Sequence, residues 1–340
     1  MTTQEIISIK EKNKKEKYLI LFKNGWLGLL LVCLVGVISY LIQKVIKSPL
    51  LDPLFIALLL GIIIKLVIGE KKRLAPGFVL APLIFIPIGV ILYGAVNLNF
   101  VKFAQINIAF IILLAIVMLV YIGVILLLGK LLKQRKQITY LTATGSVVCG
   151  ASAIAITTPA VEAEPDDVSI SLISVFIVAV FGLFILFPFL TSLLGLSDKI
   201  YALLSAMTLQ FTGFVKAATG NLSKELVALA ISVKAARYLG LFIAIPFFAS
   251  LTKKKFYIPW FLWLFLAAGF VFSFAPAIAK PLTPIFKPVL DVLWAIAMAA
   301  IGLNADIKAL LSDNGLKALL MAFIGFIAAI LVFILGILII

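Results

Sequence analysis

The sequence predicts an all-α polytopic membrane protein of about eleven transmembrane helices, one extra N-terminal helix followed by two inverted five-helix repeats. Three observations carry that reading. Of 340 residues, 64% are hydrophobic and only 13% are charged, with a mean hydropathy of +1.26; an ordinary soluble domain holds about 45–50% apolar residues and already shows an apolar majority at its surface. The solvent for most of the chain is therefore lipid. Apolar runs of membrane-spanning length recur along the whole chain, and short basic loops separate them.

Elements follow in order. The basic stretch from Lys10 to Lys17 closes a tail of about residues 1–25. Trp26–Ile46 is long enough to span and lacks a small-residue cleavage site, so it reads as a retained helix rather than a secretory signal. Ten further runs are Leu54–Ile68, Gly77–Leu98, Ile106–Leu128, Ile138–Val161, Val168–Leu190, Lys199–Ala218, Leu226–Leu251, Trp260–Ala279, Val289–Ala305 and Leu316–Ile340. Residues 26–340 thus form one transmembrane domain, with repeat 1 at about 51–195 and repeat 2 at about 197–340. Five is odd, so the second half enters the membrane in the opposite sense to the first, an arrangement common in secondary transporters.

The net charge of +15 has a topological source. With the N-terminus in the cytoplasm, nineteen Lys and Arg fall inside, six outside and four within spans. The count predicts the cytoplasmic membrane, a cytoplasmic N-terminus and an external C-terminus. It places the acidic loop Glu162–Asp167 outside, across the membrane from Arg135 and Lys253. Nucleic acid is excluded as a partner; lipid is the expected one.

Composition also limits chemistry. The chain has no histidine and two cysteines, Cys33 and Cys149, so His-based catalysis, zinc knuckles and disulfide frameworks are not expected. No enzymatic activity, cofactor or metal is predicted. No Gly-rich phosphate loop of the ATPase kind occurs, which leaves secondary or channel-like transport.

The fifth and tenth runs are irregular. Around Cys149, Gly150, Ala151 and Ser152, small and polar residues crowd what would otherwise be a Leu/Ile/Val-rich helix. Such residues serve close helix packing, or they mark a helix broken near the midplane. A broken helix presents free N–H groups to an anion, with Ser152 as a further donor. The tenth run places Gly302 beside Asn304 and Asp306 in the same weak-looking way. Lys234 and Arg237 share one face of the eighth run, about 12–16 Å from its outer end, where charge is costly. They form an internal ion pair or line an anion path. Gln210 and Thr212 in the seventh run line a cavity or tie helices together, and Lys65 and Lys216 read as snorkelling groups.

Residues Cys149-Gly150-Ala151-Ser152-Ala153-Ile154-Ala155, followed by Pro159 and the acidic loop, resemble the signature of the YeiH-type family of bacterial membrane proteins, whose members are labelled sulfate exporters. Leu51-Asp52-Pro53-Leu54, Val233-Lys234-Ala235-Ala236-Arg237, Pro259-Trp260-Phe261 and Ala297–Leu303 are similar to further elements of it, collinear over about residues 26–340. The resemblance implies kinship with the bile-acid-symporter-like fold, in which the fourth helix of each repeat (here the fifth and tenth runs) is broken and the two cross. One departure stands out: the family's Ser-Ile-His-Asp element is Leu209-Gln210-Phe211-Thr212 here, so its His and Asp roles do not transfer.

The sequence thus supports a secondary transporter of a small, anionic solute working by alternating access. Cys149, Gly150, Ala151, Ser152, Gln210, Thr212, Lys234, Arg237, Gly302 and Asn304 are the candidate solute-binding residues. A cation-coupled (Na+ or H+) organic-acid symporter and a non-transporting membrane subunit of a larger complex remain alternatives. A coupling cation and an oligomer are both compatible with the sequence.

Overall fold

The computed structural model describes residues 14–46, 52–69, 71, 73–305, 308 and 311–340. The tail through residue 13 and Asp306 lie outside the described residues, which are helical with no strand among them. The helices are α1 (Lys14–Ile46), α2 (Pro53–Ile68), α3 (Ala75–Asn97), α4 (Phe100–Phe103), α5 (Ile108–Leu131), α6 (Lys136–Thr144), α7 (Ala151–Thr157), α8 (Pro165–Phe181), α9 (Phe187–Leu194), α10 (Asp198–Thr208), α11 (Thr212–Thr219), α12 (Lys224–Ala236), α13 (Leu241–Lys253), α14 (Trp260–Phe274), α15 (Pro276–Asn304) and α16 (Asp313–Ile337). A π-helical turn at Gly145–Cys149 extends α6, another at Gly182–Leu186 fuses α8 to α9, and a 3-10 turn at Arg237–Gly240 joins α12 to α13.

Among the described residues, seven segments are long and apolar enough to cross a membrane: Asn24–Ile46, Ala75–Asn97, Ile108–Leu131, Pro165–Leu194, Lys224–Lys253, Pro276–Asn304 and Asp313–Ile337. Two shorter apolar helices, Pro53–Ile68 and Trp260–Phe274, accompany them. Large apolar side chains such as Leu119, Phe184, Trp263 and Leu335 stand exposed on these segments, the surface a lipid solvent requires.

The chain forms two compact units, residues 1–89 with 288–307, and residues 90–287 with 308–340. In the first unit, α2 packs on the end of α15 through glycine. A Cβ on Gly61 would lie 2.5 Å from the Ala299 oxygen, and one on Gly302 2.2 Å from the Leu58 oxygen. Small residues here let two backbones approach as membrane helices do. The Lys65 ammonium donates to the Asn304 carbonyl at 3.0 Å, meeting an orphan acceptor at the C-terminus of α15. The tenth run is therefore not broken: α15 continues through Gly302 to Asn304. Its Ala-rich stretch favours helix, and the missing side chain at Gly302 serves contact rather than unwinding.

In the second unit, α5 and α16 run antiparallel along their lengths, as Gln134 donating to the Asn314 carbonyl and Gly325 against Ile125 attest. The fifth run behaves differently from a span. Arg135, just before α6, bonds Glu164 at 3.1 Å and Asp167 at 3.3 Å at the start of α8. Three residues further in, the Ser171 hydroxyl donates to the Ile138 carbonyl. Thus α6 and α8 leave the same end in parallel, and α7 must return to it. Gly145 meets Ile154 across this hairpin, and Gly150 at its tip has φ +67°. Fourteen residues from Lys136 to Cys149 reach about 21 Å inward at 1.5 Å each.

The seventh run folds the same way. The Arg237 guanidinium at the end of α12 touches the Ala206 carbonyl near the end of α10, so those helices are parallel and α11 returns between them. Leu222, after α11, lines one open recess with Asp198 and Tyr201 at the start of α10. Its tip is Leu209–Phe211. Segment 165–194 carries the chain to the far end, and segment 224–253 brings it back, where Lys253 pairs with Glu162 at 2.8 Å.

Two expectations are corrected by these contacts. The fifth and seventh runs are re-entrant hairpins, not two of eleven spans, and the acidic loop shares an end with Arg135 and Lys253. Hydropathy counts apolar length, and a hairpin buried in protein is as apolar as a span. The second break of the chain lies at Leu209–Phe211 rather than in the tenth run.

Candidate functional site

The two hairpin tips meet. A Cβ on Gly150 would fall 2.6 Å from the Phe211 ring, so only glycine lets the first tip lie on the second. Phe176, midway along segment 165–194, packs edge-on against both Phe211 and Phe214.

Each tip ends one helix and begins another. An ending helix leaves up to four carbonyls without partners, and burial makes each of them costly. Lys234 and Arg237, both fully buried, meet these groups from the end of α12. Lys234 Nζ donates to the carbonyls of Val148 at 2.9 Å, Leu209 at 2.7 Å and Gln210 at 2.7 Å. Arg237 Nε donates to Val147 at 2.7 Å, Nη2 to Ser146 at 2.9 Å, and Nη1 to Ala206 at 3.1 Å and Leu209 at 2.6 Å. Six carbonyls from two hairpins are thereby held by two side chains one helical turn apart.

Hydrogen bonding is satisfied, but charge is not. Among the described residues neither cation pairs with a carboxylate; the ionisable side chains facing them are Tyr121, Cys149 and Tyr238. A helix C-terminus carries about −0.5 charge and an N-terminus about +0.5. At these tips the ends of α6 and α10 are offset by the starts of α7 and α11, so the helix ends lend the pair little counter-charge.

Around the pair lies a shell of hydroxyl groups. Gln210 donates to the Tyr121 hydroxyl at 2.8 Å, and the Ser146 hydroxyl faces the same tyrosine, while the buried Gln210 Oε1 has no partner among the described residues. Thr212 and Tyr238 share a 3.0 Å hydrogen bond. Tyr93 bonds both Cys149 and Tyr238, and Cys149 bonds Ser152. Ser152 and Thr212 are only partly covered. Among the described residues, no three metal-ligating side chains come together.

Eight of the ten candidates therefore belong to the second unit and gather at or beside the tips: Cys149, Gly150, Ala151, Ser152, Gln210, Thr212, Lys234 and Arg237. Gly302 and Asn304 belong to the first unit, where Gly302 packs on Leu58 and Asn304 ends α15. Sequence reasoning missed Tyr93, Tyr121 and Tyr238. Tyr238 follows Arg237 directly and was within reach of inspection; the other two come from distant helices and carry no local signal.

Comparison with known proteins places this site in a family. The chain is 29% identical over 300 residues to a UPF0324 membrane protein of Archaeoglobus fulgidus, covering 87% of this chain and 88% of that one. It is 32% identical over 274 residues to one of Brucella melitensis (78% and 76% covered) and 28% over 311 residues to one of Bacillus cereus (88% and 87%). No solved structure matches it. The profile of the family described as conserved hypothetical protein 698 matches residues 27–322, and the chain belongs to that family of multi-pass membrane proteins.

Proposed function

We propose that the protein is a secondary transporter of a small anionic solute, working by alternating access and doing no chemistry on what it carries. The observation that supports this most is the buried Lys234–Arg237 pair at two opposed hairpin tips, with no carboxylate opposite it among the described residues. Backbone N–H groups at Ala151–Ala153 and at the start of α11, with the Ser152 and Thr212 hydroxyls, would contact the solute. Lys234 and Arg237 would attract it mainly by field, since seven of their eight N–H hydrogens are engaged by carbonyls. The pairing of a hairpin with the following long segment, repeated from the opposite end, fits an inverted repeat of 136–194 with 198–253 better than two five-helix halves.

Nine crossings result if α2 and α14 both span. That count keeps a cytoplasmic N-terminus and an external C-terminus and moves only Lys199 outward, leaving eighteen basic residues inside against seven outside. The resemblance to the sulfate-exporter family agrees with an oxyanion as solute. Binding is tested on purified protein with inorganic sulfate, phosphate and malonate, read as thermal stabilisation. At least one anion should stabilise the wild type, and the Ser152→Ala, Thr212→Val double variant should bind it on the order of tenfold more weakly, the loss of about two modest hydrogen bonds. Anion stabilisation that survives the double variant unchanged would place the site elsewhere; none with any anion would end the reading.

A further inference from the structure

Resting on the anion-carrier reading, we infer that this protein is an obligate anion exchanger: its empty form does not reorient, and each inward passage is matched by an outward one. The cation pair has to pass through an occluded state. A site alternating between two faces must at some point be closed to water on both. Two unneutralised charges shut into protein and hydrocarbon are costly.

Three routes to neutrality exist, and two are closed by the residues around the pair. The first is a protein counter-charge. Among the described residues the ionisable side chains facing the pair are Tyr121, Cys149 and Tyr238, while Asp167, Asp198 and Glu225 lie at helix starts. The second is release of a proton. The chain has no histidine, and all three hydrogens of the Lys234 ammonium are committed to the Val148, Leu209 and Gln210 carbonyls. A neutral amine has only two hydrogens, so deprotonation would turn its lone pair onto one of three buried carbonyl oxygens packed within 2.9 Å of it. Arg237 stays charged in proteins. The third route is an anion in the site, which neutralises the pair without disturbing its hydrogen bonds. Occupancy is then the condition for closure.

The wild-type protein in sealed vesicles tests this. One set encloses an unlabelled anion, sulfate, phosphate or malonate in turn; the other encloses zwitterionic buffer and sucrose only. Uptake of the same labelled anion is followed in both. Loaded vesicles should take up label about a hundredfold faster, the rate equivalent of leaving even one charge uncompensated at the bilayer centre. A potassium diffusion potential should leave exchange of like anions unchanged. Equal uptake into buffer-filled vesicles, or uptake that needs a sodium or pH gradient, overturns obligate exchange while leaving anion transport standing. Anion binding without flux in either set overturns exchange and leaves the site. Neither binding nor flux overturns both.

Discussion

Replacing each buried cation by methionine separates their roles, because the two side chains serve different numbers of carbonyls. Among the described residues Arg237 is the sole side-chain partner of the Ser146, Val147 and Ala206 carbonyls, and it shares that of Leu209 with Lys234. Lys234 is likewise the sole side-chain partner of the Val148 and Gln210 carbonyls. Arg237→Met therefore orphans three buried carbonyls and Lys234→Met two. At about 1–3 kcal/mol for each unsatisfied group, the gross costs are about 3–9 and 2–6 kcal/mol. Both variants gain back the penalty of burying one charge, several kcal/mol in each case. That gain is similar for the two, so it largely cancels in the comparison. Arg237→Met should then be the less stable by about 1–3 kcal/mol. The assay is thermal inactivation in detergent or nanodiscs, with hydrogen exchange on peptides spanning 145–157 and 205–214. Exchange should rise at both tips in both variants and rise more in Arg237→Met. Wild-type protection in both, or a less stable Lys234→Met, would refute the carbonyl argument.

Further outcomes follow from the same contacts. Cysteines replacing Lys133 and Glu162 one at a time, in a Cys33→Ala background whose remaining Cys149 is buried, should react with a membrane-impermeant maleimide from the same face, and labelling from opposite faces would dismantle the first hairpin. Gly150→Ala should destabilise the protein by about 2–5 kcal/mol, from a backbone conformation reserved for glycine and from crowding the Phe211 ring; a thermal midpoint within error of the wild type would contradict the tip contact. Gly302→Val should lower the thermal midpoint by about as much as a severe overpacking change, 1–3 kcal/mol or more, since the added carbon meets the Leu58 backbone. Anion binding at the Ser152 site, measured in the same variant, should be retained if it folds.

Much of the chain was legible without coordinates, and the limits are instructive. Apolar length located six of the seven long segments to within a few residues, whereas the run read as Val289–Ala305 begins thirteen residues earlier, at Pro276, and the small-residue cluster at Cys149–Ser152 marked a true break. Lys234 and Arg237 stood out as charges too deep for comfort. Their use did not: a guanidinium facing four carbonyls looks, in sequence, the same as one facing a solute. The second break at Leu209–Phe211 carries no proline and no glycine. It exists because tertiary contacts from Lys234 and Arg237 satisfy carbonyls that an isolated helix would have kept paired.

The composition that makes this a lipid-embedded chain, 64% hydrophobic with most of its charge in the N-terminal tail and short loops, determined by itself that the protein is helical and that its chemistry rests on few polar groups. Only the tertiary structure decided which apolar runs turn back, because hydropathy records a residue's preference for leaving water and not whether its neighbour is lipid or protein. The ion pairs from Arg135 to Glu164 and Asp167, between residues some thirty positions apart, close a hairpin that no local pattern encodes. They also bring the acidic loop to the basic end, where charge counting alone had put it across the membrane.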